Sequence, residues 1–163
     1  MSSLPTVLLE LQRLTHELLY LGTDGAAVYS DRLCRLNEDV LKCSDALLGL
    51  KSENPEEEAH ICSVLLEGYH ATIYDSKGDK EEKIQSVLNR SWKVLDVLPS
   101  SAVKCRLLLC CYAEVYEEDL LQEAKEIIDS WQGRELSEEE QATVELYEDC
   151  SDYSDSYSEE MGE

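Results

Sequence analysis

The sequence is short of basic residues. It has 14 Lys and Arg against 36 Asp and Glu in 163 residues, which gives a formal net charge of −22 at pH 7. Proteins bind nucleic acids through cations that neutralise phosphates and release counterions. We therefore expect neither direct binding of nucleic acid nor attraction to an anionic membrane surface. The partner that such a chain attracts is a basic protein.

Long apolar runs are also missing. The longest one, residues 107–113, is far too short to cross a membrane. The first basic residue is Arg13, so the N-terminal residues lack the charged start of a secretory signal. The seven cysteines are odd in number, which favours free thiols in a reducing compartment. We expect a cytoplasmic protein whose cysteines mostly pack in its core.

Motifs for catalysis or metal binding are absent as well. There is no C-x-x-C pair, and Cys110 and Cys111 are adjacent in a predicted helix, where their side chains diverge. His16-Glu17 lacks the second histidine of the H-E-x-x-H zinc motif. The sequence therefore predicts no metal, no cofactor and no catalytic residues, so the protein is not expected to be an enzyme. A hydrolase assembled from scattered Cys, His and Glu would need a deep pocket that joins them.

What the sequence does contain is helical periodicity nearly throughout. Val7, Leu11, Leu14, Leu18 and Leu21 recur at spacings of four and three, and no stretch shows strand alternation. The pattern predicts an all-α protein: a bundle of about six to seven antiparallel helices, which stacked helical hairpins would also satisfy. The first two predicted helices cover about 5–21 and 31–48. The third begins at 55 and ends at the turn of residues 75–79, and the fourth runs from that turn to 98. The last three cover about 102–116, 119–131 and 137–148.

Capping residues mark several helix starts. Asn54 precedes Pro55, with Glu57 at the position that a capping box assigns to an acid. Ser137 and Glu140 repeat that spacing at the seventh helix. In the third helix, the apolar face is predicted to continue as far as Ile73.

The last part of the chain has a different composition. From Glu135 onward there are 12 acidic residues and no Lys or Arg, and residues 149–163 show no apolar period. We expect a helical domain at 1–148 and an acidic, disordered C-terminal tail at 149–163. The tyrosines of this region, such as Tyr153, either dock on a basic partner or belong to a solubilising tail.

Three residues beside turns form the candidate protein-binding site. Exposed aromatic side chains near loops are better anchors for a partner than core aliphatic residues. Tyr29, Tyr74 and Asp75 flank predicted turns and are the candidates. The alternative is that both tyrosines pack underneath their loops.

Several short phrases, taken in order, resemble one protein family. They are HELLYLG at 16–22, YSD at 29–31, GY at 68–69, ATIYD at 71–75, GDK at 78–80, IQSVL at 84–88, WKVLD at 92–96, LP at 98–99 and IIDSW at 127–131. In their order and spacing, over roughly residues 10–148, they resemble the UpxZ family of transcription antitermination antagonists.

The resemblance implies a function that the residues alone do not. Proteins of this family are encoded beside NusG-like antiterminators in the capsular polysaccharide operons of gut anaerobes. They inhibit the antiterminators of other operons, so that one operon predominates. The resemblance thus implies a trans-acting inhibitor that binds NusG-like proteins, alone or in an RNA polymerase complex, without catalysis or a cofactor. The competing hypothesis is an acidic nucleic-acid mimic or immunity-type protein that blocks a nuclease or toxin.

Overall fold

The chain is helical throughout the part that the structure describes. The computed structural model describes residues 4–22, 30–75 and 77–161, and within 152–161 it describes the backbone only. In these ranges there is no β-strand, so the predicted all-α class is confirmed. The helices are α1 (Leu4–Leu19), α2 (Ser30–Leu48), α3 (Pro55–Ala71), α4 (Lys80–Leu95), α5 (Ala102–Val115), α6 (Glu118–Asp129) and α7 (Glu138–Met161).

The chain divides into two compact units, Met1–Trp92 and Lys93–Glu163. The assignment of residues 1–148 to one domain stays a prediction. None of the helices in the described ranges combines the length and hydropathy that crossing a membrane requires.

In the first unit, α1, α2 and α3 pack against one another in all three pairs. Their facing sides bury the large apolar residues that the periodicity placed on helical stripes. The most deeply buried of these include Leu11, Val40, Leu47, Ile61, Leu65 and Tyr69. Helix α3 lies close to α2 at Gly68, where a Cβ atom would lie 2.8 Å from Ser44 Oγ. Only a residue without a side chain fits there without displacing its neighbours.

Helix α4 is joined to α2 and α3 by one arginine. Arg90 donates hydrogen bonds to both carboxylate oxygens of Glu58, each at 2.9 Å. It also donates to the carbonyl oxygens of Leu48 at 3.2 Å and Leu50 at 2.9 Å. A planar guanidinium can satisfy this number of acceptors at once. The side chain therefore serves the orphan carbonyls at the end of α2 as well as the carboxylate on α3.

In the second unit, α5 packs against both α6 and α7. Cys105 Sγ, near the start of α5, contacts the carbonyl oxygen of Ala124 at 3.5 Å, late in α6. Tyr112, near the end of α5, donates to Glu118 at the start of α6. The two helices are therefore antiparallel, as predicted for helices of the bundle. The buried cluster of this unit is made of Cys105, Leu108, Leu109, Tyr112, Leu121, Ala124, Ile127 and Trp131.

The predicted caps are confirmed at two helices. The Asn54 side chain accepts a hydrogen bond from the backbone N–H of Glu57 at 3.1 Å, and Pro55 begins α3. At α7, the Ser137 hydroxyl accepts from the Glu140 N–H at 3.1 Å, and the Glu140 carboxylate accepts from the Ser137 N–H at 3.0 Å. This reciprocal pair is a complete capping box.

The C-terminal boundary differs from the prediction. Helix α7 continues to Met161 rather than ending near 148, so the predicted disordered tail at 149–163 is not confirmed. The absence of an apolar period shows that a segment has no face to bury, but an established helix can extend through such a segment.

Candidate protein-binding site

The structure describes two of the three predicted site residues. Tyr29 lies outside the described residues. Tyr74 and Asp75 lie in the extended segment 72–75 that follows α3. Half of the Tyr74 surface is exposed, so this tyrosine does not pack beneath its loop. Its neighbour Ile73 is 63% exposed. The prediction that Ile73 belongs to the core face of α3 was wrong, because α3 ends at Ala71.

A buried asparagine on α2 holds this segment in place. Asn37 is only 1% exposed. Its Oδ1 accepts hydrogen bonds from the backbone N–H groups of Ile73 at 2.7 Å and Tyr74 at 3.1 Å, and its Nδ2 donates to the Tyr74 carbonyl at 2.9 Å. The amide thus pairs with the segment much as a neighbouring strand would. Three satisfied bonds compensate for burying a polar side chain.

Asp75 organises the turn that follows. Its carboxylate accepts from the backbone N–H groups of Gly78 at 3.0 Å and Lys80 at 3.3 Å. Gly78 has a φ of +72°, a conformation that favours glycine. Both carboxylate oxygens of Asp75 are therefore engaged within the turn. Tyr74 and Asp75 are adjacent, as predicted, but only Tyr74 presents an apolar surface.

Next to this segment is a groove, which we call the lysine groove. The groove and the open solvent at its mouth together measure about 380 Å³. Four of the chain's 14 basic residues line it, although the chain as a whole is strongly acidic. The groove is lined by four lysines and four acidic residues, with Leu41 and Tyr69 completing it: Lys42, Lys77, Lys80 and Lys83, and Glu38, Asp45, Asp75 and Asp79.

Asp45 is the centre of the hydrogen bonds in the groove. It accepts from the Tyr69 hydroxyl at 2.8 Å and the Lys83 ammonium at 2.9 Å, and the Lys77 ammonium lies 3.6 Å away. Partial burial opposes ionisation, but the bonds from Lys83 and Tyr69 outweigh it and hold the pKa of Asp45 below its ordinary value. Burial, followed by the hydrogen bond to Asp45, raises the pKa of Tyr69. The groove therefore contains an ionised carboxylate and a protonated phenol near neutral pH.

Lys80 differs from Lys83 in what its ammonium contacts. Lys83 pairs with the carboxylates of Asp45 and Asp79. Lys80 Nζ instead lies 3.1 Å from the carbonyl oxygen and 3.3 Å from the hydroxyl of Thr72, both uncharged. Among the residues that the structure describes, no carboxylate lies within ion-pair distance of Lys80 Nζ. A half-buried positive charge thus faces the groove next to Ile73 and Tyr74.

The cysteines and histidines form no metal-binding cluster in the described residues. No group of three His, Cys, Asp or Glu side chains in those ranges could hold a metal ion. Cys62, Cys105, Cys110 and Cys111 are buried, as predicted for core residues. Burial raises the pKa of Cys62 to about 11 and that of Cys105 to about 12. Both thiols are protonated near neutral pH, which does not favour a nucleophilic role.

The negative charge is concentrated late in the chain. Residues 114–163 contain 19 acidic and two basic residues, a net charge of −17. The preceding residues 1–113 contain 17 acidic and 12 basic residues, a net charge of −5. The segment with Ile73 and Tyr74 and the lysine groove both belong to the part that is nearly balanced.

Sequence reasoning missed Asn37, Ile73 and the lysine groove. A signal for Asn37 was present, since it shares a face of α2 with Leu36 and Val40, where a polar residue needs a buried partner. The groove had only a partial signal. Lys77, Lys80 and Lys83 recur every three residues in one stretch, but Lys42 and Asp45 are far from them in the sequence.

Comparisons with known proteins agree on one family. The family model of the UpxZ family of transcription anti-terminator antagonists matches residues 8–113. The chain is also similar to a solved structure, a transcription anti-terminator antagonist UpxZ from Bacteroides uniformis. The two share 43% sequence identity and superpose with a TM-score of 0.77, over 93% of this chain and 94% of the other. No curated protein matches.

Proposed function

This chain belongs to the UpxZ family of transcription anti-terminator antagonists, and from that membership we propose how it acts. It binds NusG-like antiterminators of capsular polysaccharide operons directly and inhibits them in trans, so that one operon predominates. Binding takes place in the cytoplasm, where transcription occurs, either to the free antiterminator or within its RNA polymerase complex. The protein acts by occupying a surface and catalyses no reaction.

The observation that carries this proposal is the fixed, exposed segment of Ile73 and Tyr74. Exposed apolar side chains on a mobile loop lose conformational entropy when a partner orders them. Here the three hydrogen bonds with Asn37 already hold the backbone before binding. An aromatic side chain on a rigid backbone is typical of the residues that dominate binding energy. Tyr74 contacts the partner, and Asp75 holds the turn beside it.

The position of this segment within the family match also supports the proposal. The matched residues 8–113 include Asn37, Ile73 and Tyr74 and exclude the part of the chain with a net charge of −17. A binding function common to the family belongs in the part that the family model matches, although the solved relative is similar over 93% of this chain. The acidic part then serves the approach to a basic partner, because long-range attraction raises association rates more than it fixes contacts.

The test measures the affinity of the purified protein for a panel of NusG-like antiterminators, with a general elongation NusG as the control ligand. The variant Ile73→Ser/Tyr74→Ala is compared with Leu9→Ser/Tyr20→Ala, whose residues are similarly exposed in the same unit. We expect the first pair to weaken binding by about 30-fold, the effect of losing one dominant contact. The second pair should leave it within about twofold of wild type.

The same samples are then added to transcription reactions that contain RNA polymerase and a matching operon template. Wild-type protein should reduce read-through that depends on the antiterminator, and the Ile73→Ser/Tyr74→Ala variant should not. Binding to no member of the panel, with read-through unchanged, would overturn the proposal.

The charge of residues 114–163 favours a second candidate, a nucleic-acid mimic that blocks a nuclease or toxin. That function predicts competition with DNA or RNA for the partner. It also predicts that replacing the acids of 149–163 with their amides abolishes binding on its own, while the Ile73→Ser/Tyr74→Ala change has no effect. The two proposals therefore predict opposite outcomes for the same two sets of variants.

A further inference from the structure

The lysine groove offers a second contact next to the exposed pair, and its four lysines balance its four acidic residues in a chain with a net charge of −22. We propose that it receives an acidic side chain of the bound antiterminator, held by Lys77 and Lys80, while Ile73 and Tyr74 contact apolar residues of the same segment. This inference rests on the proposed function, because it specifies which feature of the antiterminator is recognised. The ligand is thus a carboxylate on a short acidic and apolar stretch of protein.

The ammonium group of Lys80 has only uncharged hydrogen-bond partners among the described residues. The hydrogen bonds of this half-buried ammonium go to uncharged acceptors, so it keeps an attraction for an anion that a direct ion pair would have satisfied. Its two bonds, to the carbonyl and hydroxyl oxygens of Thr72, leave one of its three N–H groups for a ligand. Those same bonds fix the ammonium in position, which lowers the entropy lost on binding.

The acidic side chains of the groove, including Glu38, are already engaged by other groups. Asp45 accepts from Tyr69 and Lys83, and Asp79 pairs with Lys83. Asp75 accepts from two backbone N–H groups. Lys77 has a side chain that is 70% exposed, and its contact with Asp45 at 3.6 Å is long. It can therefore turn toward a second carboxylate without leaving a buried charge behind.

The ammonium group of Lys80 lies close to the exposed pair Ile73 and Tyr74. The ammonium of Lys80 bonds to Thr72, the residue that precedes Ile73. A ligand that contacts Ile73 and Tyr74 is therefore within a few residues of the ammonium group. Apolar contacts surrounding a charged pair exclude water and strengthen the attraction. A protein segment supplies both features, whereas a small anion supplies only the charge.

The test begins with zero-length carbodiimide cross-linking of the wild-type protein to an antiterminator that it binds. This reagent joins a carboxylate to a lysine amine in direct contact, and mass spectrometry of the peptides locates both residues. We expect Lys77 or Lys80 to be joined to an Asp or Glu of the antiterminator that is flanked by apolar residues. Cross-links confined to other lysines would overturn the inference while leaving the proposed function in place.

Affinity measurements supply a second readout. The variant Lys77→Gln/Lys80→Gln is compared with Lys51→Gln/Lys93→Gln, which changes the net charge equally at exposed positions. We expect the first to weaken binding by about tenfold, as for the loss of a charge-assisted hydrogen bond, and to reduce its salt dependence. Far-UV circular dichroism establishes that both variants fold.

Three outcomes of these measurements contradict the inference. Equal affinities of the two lysine variants would show that the groove does not contact the antiterminator. If the lysines matter only when RNA is present, the anion is a phosphate rather than a carboxylate. Wild-type protein that binds no antiterminator would overturn this inference together with the proposed function.

Discussion

The substitution Asn37→Ala tests the arrangement on which the binding proposal depends. It removes the three hydrogen bonds between the α2 side chain and the backbone of Ile73 and Tyr74. A typical hydrogen bond contributes about 1 kcal/mol net to stability. Water can reach the exposed segment and replace some of these bonds. We therefore expect the free energy of unfolding to fall by about 2–3 kcal/mol, including the loss of packing around the buried amide.

Equilibrium unfolding in urea measures this loss, and amide hydrogen exchange locates it. The N–H groups of Ile73 and Tyr74 should exchange much faster in Asn37→Ala, because they have lost their acceptor. The affinity for an antiterminator should fall as well, although both apolar side chains remain. Fixing the backbone of one residue costs about 1–2 kcal/mol, so the loss of affinity should be about tenfold or more.

The control is Asn89→Ala, which removes the same side chain from an exposed position on α4. A surface substitution of this kind should change the free energy of unfolding by less than about 0.5 kcal/mol. If Asn37→Ala behaves like this control, with unchanged exchange at Ile73 and Tyr74, the reasoning about a pre-organised segment is refuted.

Three further predictions follow from the packing and electrostatics of the first unit. Gly68→Ala should lower the free energy of unfolding by about 1–3 kcal/mol because its Cβ would meet Ser44 Oγ. Ser44→Ala removes a buried hydroxyl that has no hydrogen-bond partner among the described residues, so it should be neutral or stabilising in the same urea assay and should relieve part of that loss. The lowered pKa of Asp45 means that its ionised form contributes stability above the ordinary carboxyl pKa of about 3.9. That contribution is lost as pH falls through the pKa of Asp45 in the folded protein. Asp45→Asn should therefore be less stable than wild type at pH 7. If the difference in the free energy of unfolding persists at pH 2, the stabilising role of the ionised Asp45 is contradicted. Iodoacetamide should modify the exposed Cys34 in the native protein and the buried Cys62, whose pKa is raised to about 11, only after unfolding; equal labelling rates by mass spectrometry would refute this order.

Local features of this protein were predictable because short stretches of sequence encode them. The cap at Asn54 and Pro55 depends on residues within one helical turn, and it is found where the pattern placed it. The apolar stripe of α1 likewise gave the buried face with Leu11, Leu14 and Leu18. The prediction failed at Ile73, which continues the apolar period of α3 although the helix has ended at Ala71. Apolar periodicity identifies the buried face of a helix but does not show at which residue the helix ends.

The candidate site was predictable only in part. A tyrosine next to a turn could be recognised as a possible anchor, and Tyr74 is indeed half exposed. The sequence alone did not reveal that Asn37, 36 residues away from Ile73, holds the backbone of that segment. A hydrogen bond over such a distance depends on how α2 and α3 pack, and many pairings are compatible with the same amphipathic pattern.

What the sequence determined by itself is the helical class, the main helix starts and the acidic balance, since each follows from composition or from neighbours within a few residues. The tertiary structure decided which side chains meet. It brought Lys42 together with Lys80 in an otherwise acidic protein, and it turned Ile73 toward solvent beside them. The physical reason is that burial and pairing are properties of packed surfaces. Residues far apart in the chain become neighbours only when helices of the right length and face have packed together.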